Sequence, residues 1–131
     1  MLYDDIIDLT FAEVRSKFTN FDSVSSANKV IVFSNCPEVG SFSDESDIIV
    51  QFDFINNKVM YISERIPIHE VKGFFNKKKL KIKVREFNIL RNDFLATYNY
   101  SSNKKYVDLV VVKKTIVDSK REGLKWKNGL V

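Results

Sequence analysis

A single cysteine, Cys36, excludes an internal disulfide and any zinc site built on several thiolates. A single histidine, His69, leaves a transition-metal site to be assembled almost wholly from carboxylates, against the usual preference for imidazole and thiolate. Two prolines and four glycines leave little room for long flexible linkers. No Gly-x-Ser-x-Gly elbow, Gly-rich phosphate loop or dinucleotide fingerprint occurs, so the common devices for activating a nucleophile or cradling a phosphate are missing and no cofactor is implied. Apolar runs are short as well. The stretch from Val107 to Val112 is broken by Asp108 and falls far below the roughly 20 residues of a membrane-crossing helix. Asp4, Asp5 and Asp8 stand where a secretory signal would carry positive charge, which gives the expectation of a cytoplasmic protein.

What is present suits one core. With 44% hydrophobic and 13% aromatic residues in a chain of 131, a single compact domain over 1–131 is expected. Charge is unevenly placed: residues 1–54 hold ten acids against three cations, and residues 55–131 hold seven against eighteen. Such a dipolar chain can steer a polyanion or an acidic protein to its basic part, or satisfy itself by head-to-tail attraction. The abundance of Lys, Asn, Ile and Phe fits an AT-rich coding genome such as that of a phage or mobile element.

The central stretch runs from Asp47 to Glu64. Ile48, Val50, Phe52 and Phe54 alternate with Ile49, Gln51, Asp53 and Ile55, and Asn56-Asn57 can take the positive φ of a tight reversal before Lys58–Ser63 returns as a second strand. A lone hairpin is marginal, so further strands and a cover are required. Thr10 and Glu13 match a capping box, and Phe11, Val14 and Phe18 recur at helical spacing, which predicts a helical lid over about Phe11–Thr19. Met1–Leu9 fits a helical turn or an edge strand. Ser23–Asn28 reads as a turn, Val30–Phe33 as a strand, and Asn35–Ser46 as an acidic loop around Phe42.

Beyond the hairpin, Ile68–Phe75 fits a short helix or an irregular edge. Leu80, Ile82 and Val84 alternate with Lys81, Lys83 and Arg85 as a half-buried strand, and a bulge near Glu86 would bring Phe87 and Ile89 onto the same side. Arg91–Asp93 is a turn, Phe94–Tyr100 a strand, Ser101–Lys105 a turn, and Tyr106–Val117 a strand buried on both faces. Asp118–Gly123 would turn into a last strand containing Leu124 and Trp126. The fold class expected is therefore α+β, predominantly antiparallel β: a small curled sheet, barrel or sandwich of about six or seven strands covered by an N-terminal helix.

Two constellations carry chemistry. Asp53 with Glu70 and Lys72 has the make-up of a magnesium-dependent nuclease site, but an irregular, proline-led setting for Glu70 counts against it. The basic run is the stronger signal: Lys77, Lys78, Lys79, Lys81, Lys83 and Arg85 place six cations in nine residues. On a strand, alternate side chains lie about 7 Å apart, close to the phosphate spacing of a nucleic acid strand. Phe74, Phe75, Tyr98, Tyr100 and Trp126 are the rings that could stack on bases or anchor a partner. A row of lysines also guards an edge strand without any ligand. The expectation is a non-enzymatic adaptor or inhibitor that engages a charged protein partner through this basic surface. A single-stranded nucleic acid binder is the alternative. An anionic membrane is not expected as a partner, and homo-oligomer formation is left open by exposed edges.

Overall fold

A computed structural model of the chain describes residues 2–34, 37–39, 46–74 and 77–118. Its elements are α1 (Phe11–Lys17), β1 (Ser23–Ser25), β2 (Val30–Ser34), β3 (Asp47–Phe52), β4 (Val59–Pro67), α2 (Ile68–Phe74), α3 (Lys77–Leu90), β5 (Phe94–Tyr100) and β6 (Tyr106–Lys113), with a 3-10 turn at Pro37–Val39. The strands form one antiparallel sheet in the order β1-β2-β3-β4-β6-β5. After β6 the chain enters a helical turn over 114–118.

The central hairpin pairs Val50 with Ile62 and Ile49 with Ser63, as alternation required. Its turn is longer than expected. The strand stops at Phe52, the Asp53 carboxylate accepts the Ile55 N–H at 2.7 Å, and Asn57 takes φ 59°. An Asx turn wins over strand continuation here, leaving Phe54 and Ile55 exposed at the tip rather than paired. β1 is a second departure: part of the serine-rich segment expected as a turn pairs with β2, Val24 opposite Ile31.

One face of the sheet carries the core. Ile31, Phe33, Ile48, Val50, Leu109 and Val111 are fully buried, and the helices and the N-terminal turn lie over that side. In α1 the Thr10 N–H donates to Glu13 Oε1 at 3.1 Å and the Glu13 N–H donates to Thr10 Oγ1 at 3.2 Å, completing the capping box. Phe11 packs edge-on against Phe52 at 5.3 Å, and Phe18 against Phe33 at 5.9 Å, so the lid sits as its spacing predicted.

The N-terminal residues form turns, with Leu2, Tyr3, Ile6 and Ile7 buried. Tyr3 reaches into the core, where its hydroxyl donates to the buried Glu64 carboxylate at 2.6 Å, and Ser46 Oγ donates to the same carboxylate at 2.7 Å. Tyr3, Lys29, Asn57 and Lys104 all adopt positive φ. In a chain with four glycines, left-handed turns fall to other residues, at a cost of about 1 kcal/mol each.

The largest correction concerns residues 77–90. They form α3, a 14-residue helix, not a strand with a bulge. Leu80, Val84 and Phe87, spaced by four and three, are buried, whereas Ile82 is 46% and Ile89 68% exposed. The helix serves a crossover. β4 and β5 are parallel to one another and β6 inserts between them, and a connection of that kind needs a covering element rather than a tight turn. β1 and β5 are the two edges, so the sheet is not closed into a barrel; the layering is helices on one face of a sheet. Of the remaining expectations, α2 realises the short helix and β6 is central but ends at Lys113, with 114–117 helical rather than extended; Val107, Leu109 and Val111 are buried and Asp108 and Val110 half-buried between them. The readings placed on Cys36, Phe42, Phe75, Leu124 and Trp126 lie outside the described residues.

Candidate functional site

α3 lies against β5 and connects to it through the turn at Arg91–Asp93, so the two elements run in opposite directions. The Arg91 N–H donates to the Phe87 carbonyl at 2.7 Å, and the Phe94 N–H donates to the Arg91 carbonyl at 3.0 Å. Arg91 also holds Asp8 with two bonds of 2.8 Å, reaches Asp93 at 3.2 Å and stacks 5.5 Å over the Phe94 ring. Its hydrogen bonds keep the Asp8 carboxyl below the usual carboxylate range, and Asp8 in turn raises Arg91. This contact joins the acidic N-terminal part to the basic part.

The helical geometry re-sorts the basic run. With 3.6 residues per turn, Lys81 shares a flank with Asn88, Arg85 lies about 40° outward of Lys81 and Lys78 about 60° outward, on the face turned to solvent, while Lys79 and Lys83 fall on the opposite flank. Lys78, Lys81 and Arg85 are exposed and have no ion-pair partner among the described residues. The row at 7 Å intervals therefore does not exist, and its match to a phosphate spacing falls with it. Lys77 and Phe74 are placed on α3 and α2 by their backbone.

α3 is also built against its own dipole. The helix N-terminus carries partial positive charge, yet its first turn contains lysines and no acid, and its last turn contains no cation. Lys81 and Arg85, four apart, repel one another as well. Each such contact costs a few tenths of a kcal/mol, which Leu80, Val84 and Phe87 offset by burial.

Tyr98 and Tyr100 do adjoin this surface. They share the core-side parity of Phe94 and Ala96, but the strand runs out from beneath the helix, so Tyr98 is half-buried and Tyr100 is 41% exposed. Burial, and then the neighbouring Tyr100, push the Tyr98 phenol upward. Val84, Ala96 and residues 97–100 line a shallow cleft of about 460 Å³. The backbone of Ala96 is bracketed by Asn88: its N–H donates to Asn88 Oδ1 at 2.7 Å, and its carbonyl accepts Asn88 Nδ2 at 3.1 Å. Sequence reasoning passed over Asn88, because nothing marks an asparagine near a helix end as a partner for an edge strand.

The nuclease constellation is not assembled. Asp53 sits in the hairpin turn before β4, and Glu70 lies on α2 after it, so the nine-residue strand holds them about 25 Å apart. Among the described residues no group of three or more His, Cys, Asp or Glu could hold a metal ion. His69 is exposed on α2. On the opposite sheet face, Arg65 makes a two-pronged pair with Asp108 at 2.9 and 3.2 Å and lies 5.2 Å over the Tyr106 ring. No helix among the described residues is long and apolar enough to cross a membrane. The chain is thus a small α+β domain with surface ion pairs and a basic helix flank. Comparison with protein-family models, with curated proteins and with solved structures finds no match.

Proposed function

We propose that the chain is a binding or accessory protein, of adaptor or inhibitor type, that engages an acidic protein partner through the Lys78, Lys81 and Arg85 flank of α3. The observation that supports this is the reversed charge of the helix. A helix selected only to cover a sheet gains stability from acids in its first turn, and α3 places lysines there instead. Local choices that oppose stability concentrate where a surface is kept for another purpose. Three exposed cations on one flank, with no internal ion-pair partner among the described residues, supply the complementary charge that steers an acidic surface into register. Single-stranded nucleic acid is the competing polyanion. Of the described rings beside the flank, Tyr100 alone is well exposed, which is less than a stacking platform uses.

The test is a salt series of binding titrations with two labelled probes of equal charge, an acidic peptide and a thymidine oligonucleotide. The protein is compared with a Lys78→Ser/Lys81→Ser/Arg85→Ser variant. Saturable binding of the peptide at fixed stoichiometry, lost in the variant, is expected. Preference for the oligonucleotide with a steep salt slope would transfer the assignment to nucleic acid, and no binding of either probe at about 50 mM salt would end both readings.

A further inference from the structure

The outer edge of β5 is only half closed. The Ser101 N–H donates to the Tyr106 carbonyl and the Lys114 N–H to the Asp93 carbonyl, both at 2.9 Å. Backbone polarity alternates along an antiparallel ladder, so residues 95, 97 and 99 bond inward to β6 and residues 96, 98 and 100 point their N–H and C=O groups outward. Asn88 occupies the outward groups of Ala96. Those of Tyr98 and Tyr100 have no hydrogen-bond partner among the described residues. The opposite edge, β1, is three residues long and offers little template, whereas β5 is seven.

We infer that the β5 edge at Tyr98–Tyr100 is a docking edge that takes an extended, acidic segment of a partner protein as an added strand. The inference rests on the acidic-partner reading of α3 and states how that partner is held. Asn88 fixes the alignment of helix and strand. Moving back seven residues along α3 from Asn88 to Lys81 covers about 10 Å, and moving forward three residues along β5 from Ala96 to Asn99 covers the same distance. Lys81 therefore stands level with the open edge, and Arg85 stands level with Thr97 and Tyr98. A strand laid beside Tyr98–Tyr100 would present alternate side chains to this flank, and carboxylates at those positions would meet Lys81 and Arg85, with Lys78 adding its charge from the outer face of the helix. Its other side chains would lie along the exposed Thr97 and Asn99, which suit small polar residues. Main-chain bonds give such a complex its affinity and the alternating pockets give it specificity. A second copy of the chain is a poor occupant, because pairing two β5 edges would set two cationic flanks side by side.

Fluorescence anisotropy with a labelled octapeptide alternating Glu and Thr tests this on the full chain. A second probe is the same peptide N-methylated at every other residue, which keeps the charge and removes the donors of one edge. The protein should bind the first peptide about tenfold more tightly than the second, the yield of one or two main-chain hydrogen bonds. Tyr100→Pro, which deletes an outward N–H without touching the ladder to β6, should lose about the same factor, and Tyr100→Ala should lose less. Equal binding of the two peptides, or an undiminished affinity in a folded Tyr100→Pro protein, would overturn strand addition while leaving the charged flank as the binding surface. Binding of the methylated and plain peptides alike that is lost on Lys81→Ser/Arg85→Ser identifies that case. Failure of both peptides to bind would overturn the acidic-partner reading along with it, and tighter binding of a thymidine oligonucleotide would replace it with a nucleic acid site.

Discussion

The side chain of Asn88 pairs with the backbone of Ala96 as a neighbouring strand would, accepting its N–H at 2.7 Å and donating to its carbonyl at 3.1 Å. A single amide thus ends the sheet at the point where α3 covers it. Ala96 is 2% exposed, so water cannot freely replace the lost partner. Asn88→Ala should lower stability by about 1–3 kcal/mol, read as a reduced urea midpoint at unchanged slope. Asn88→Asp, which keeps an acceptor for the N–H and loses the donor to the carbonyl, should also be less stable than the parent. A parent-like midpoint in Asn88→Ala would show that the bracket contributes nothing.

Tyr3 and Glu64 tie the first turn to the middle of β4 across 61 residues, through a 2.6 Å bond at a site where both side chains are almost fully buried. Deleting one partner of a buried hydrogen bond costs about 1–3 kcal/mol, so Tyr3→Phe should cost that much. The pH dependence has a definite sign. Burial first, and then the Glu64 charge and hydrogen bond, raise the Tyr3 phenol well above the ordinary tyrosine value of about 10. The unfolded chain therefore releases this proton first. The stabilisation is complete below pH ~10 and is lost as the pH rises toward the folded-state value. In thermal melts between pH 9 and 11, both about the tyrosine range, the parent should lose more stability than Tyr3→Phe.

The two bonds between Arg91 and Asp8 act in the opposite pH range. The Asp8 side chain is 68% exposed, so solvent screening limits the pair to about 0–1 kcal/mol despite its two-pronged geometry. Its carboxyl is held below the usual value, mainly by the Arg91 hydrogen bond. Stability from this pair is present above pH ~4 and is lost as the pH falls through the folded-state value. Asp8→Asn should be at most about 1 kcal/mol less stable at pH 7 and should converge on the parent in acid. A constant difference down to pH ~2 would assign the loss to packing rather than to charge.

Local signals carried most of the fold, and the errors fell where two signals shared the same residues. Thr10 with Glu13, and Phe11 with Val14 and Phe18, are contained within nine residues, and both capping-box bonds form. In residues 80–89, however, Leu80, Ile82 and Val84 satisfy a period of two while Leu80, Val84 and Phe87 satisfy a helix. A strand over these residues requires a bulge at Glu86 to keep Phe87 on the apolar side, which is itself a sign of the wrong period. Lysine, leucine, arginine and glutamate favour the helix over that length, and tertiary cover decides it. The cationic residues of the site were legible from composition. Their sorting into two flanks, and the open half of the β5 edge, depend on α3 crossing from β4 to β5, which no stretch of sequence states by itself.

The charge reversal in α3 makes a prediction in which stability and binding part company. Lys78 stands in the first turn of the helix, where its charge opposes the dipole, and it is exposed, so Lys78→Glu disturbs no packing. Glutamate there would favour the helix N-terminus and would lie one turn before Lys81, three residues on, as an attractive pair. Together these should raise stability by about 0.3–1 kcal/mol, seen as a higher urea midpoint. The same change removes one cation from the flank and adds an anion, so affinity for the alternating Glu-Thr peptide should fall several-fold, with a shallower salt dependence. A surface used only to keep the chain in solution would show the gain in stability without the loss in binding. A loss of stability in Lys78→Glu would mean that Lys78 is held by contacts that outweigh the helix dipole, so that α3 sacrifices no stability at this position.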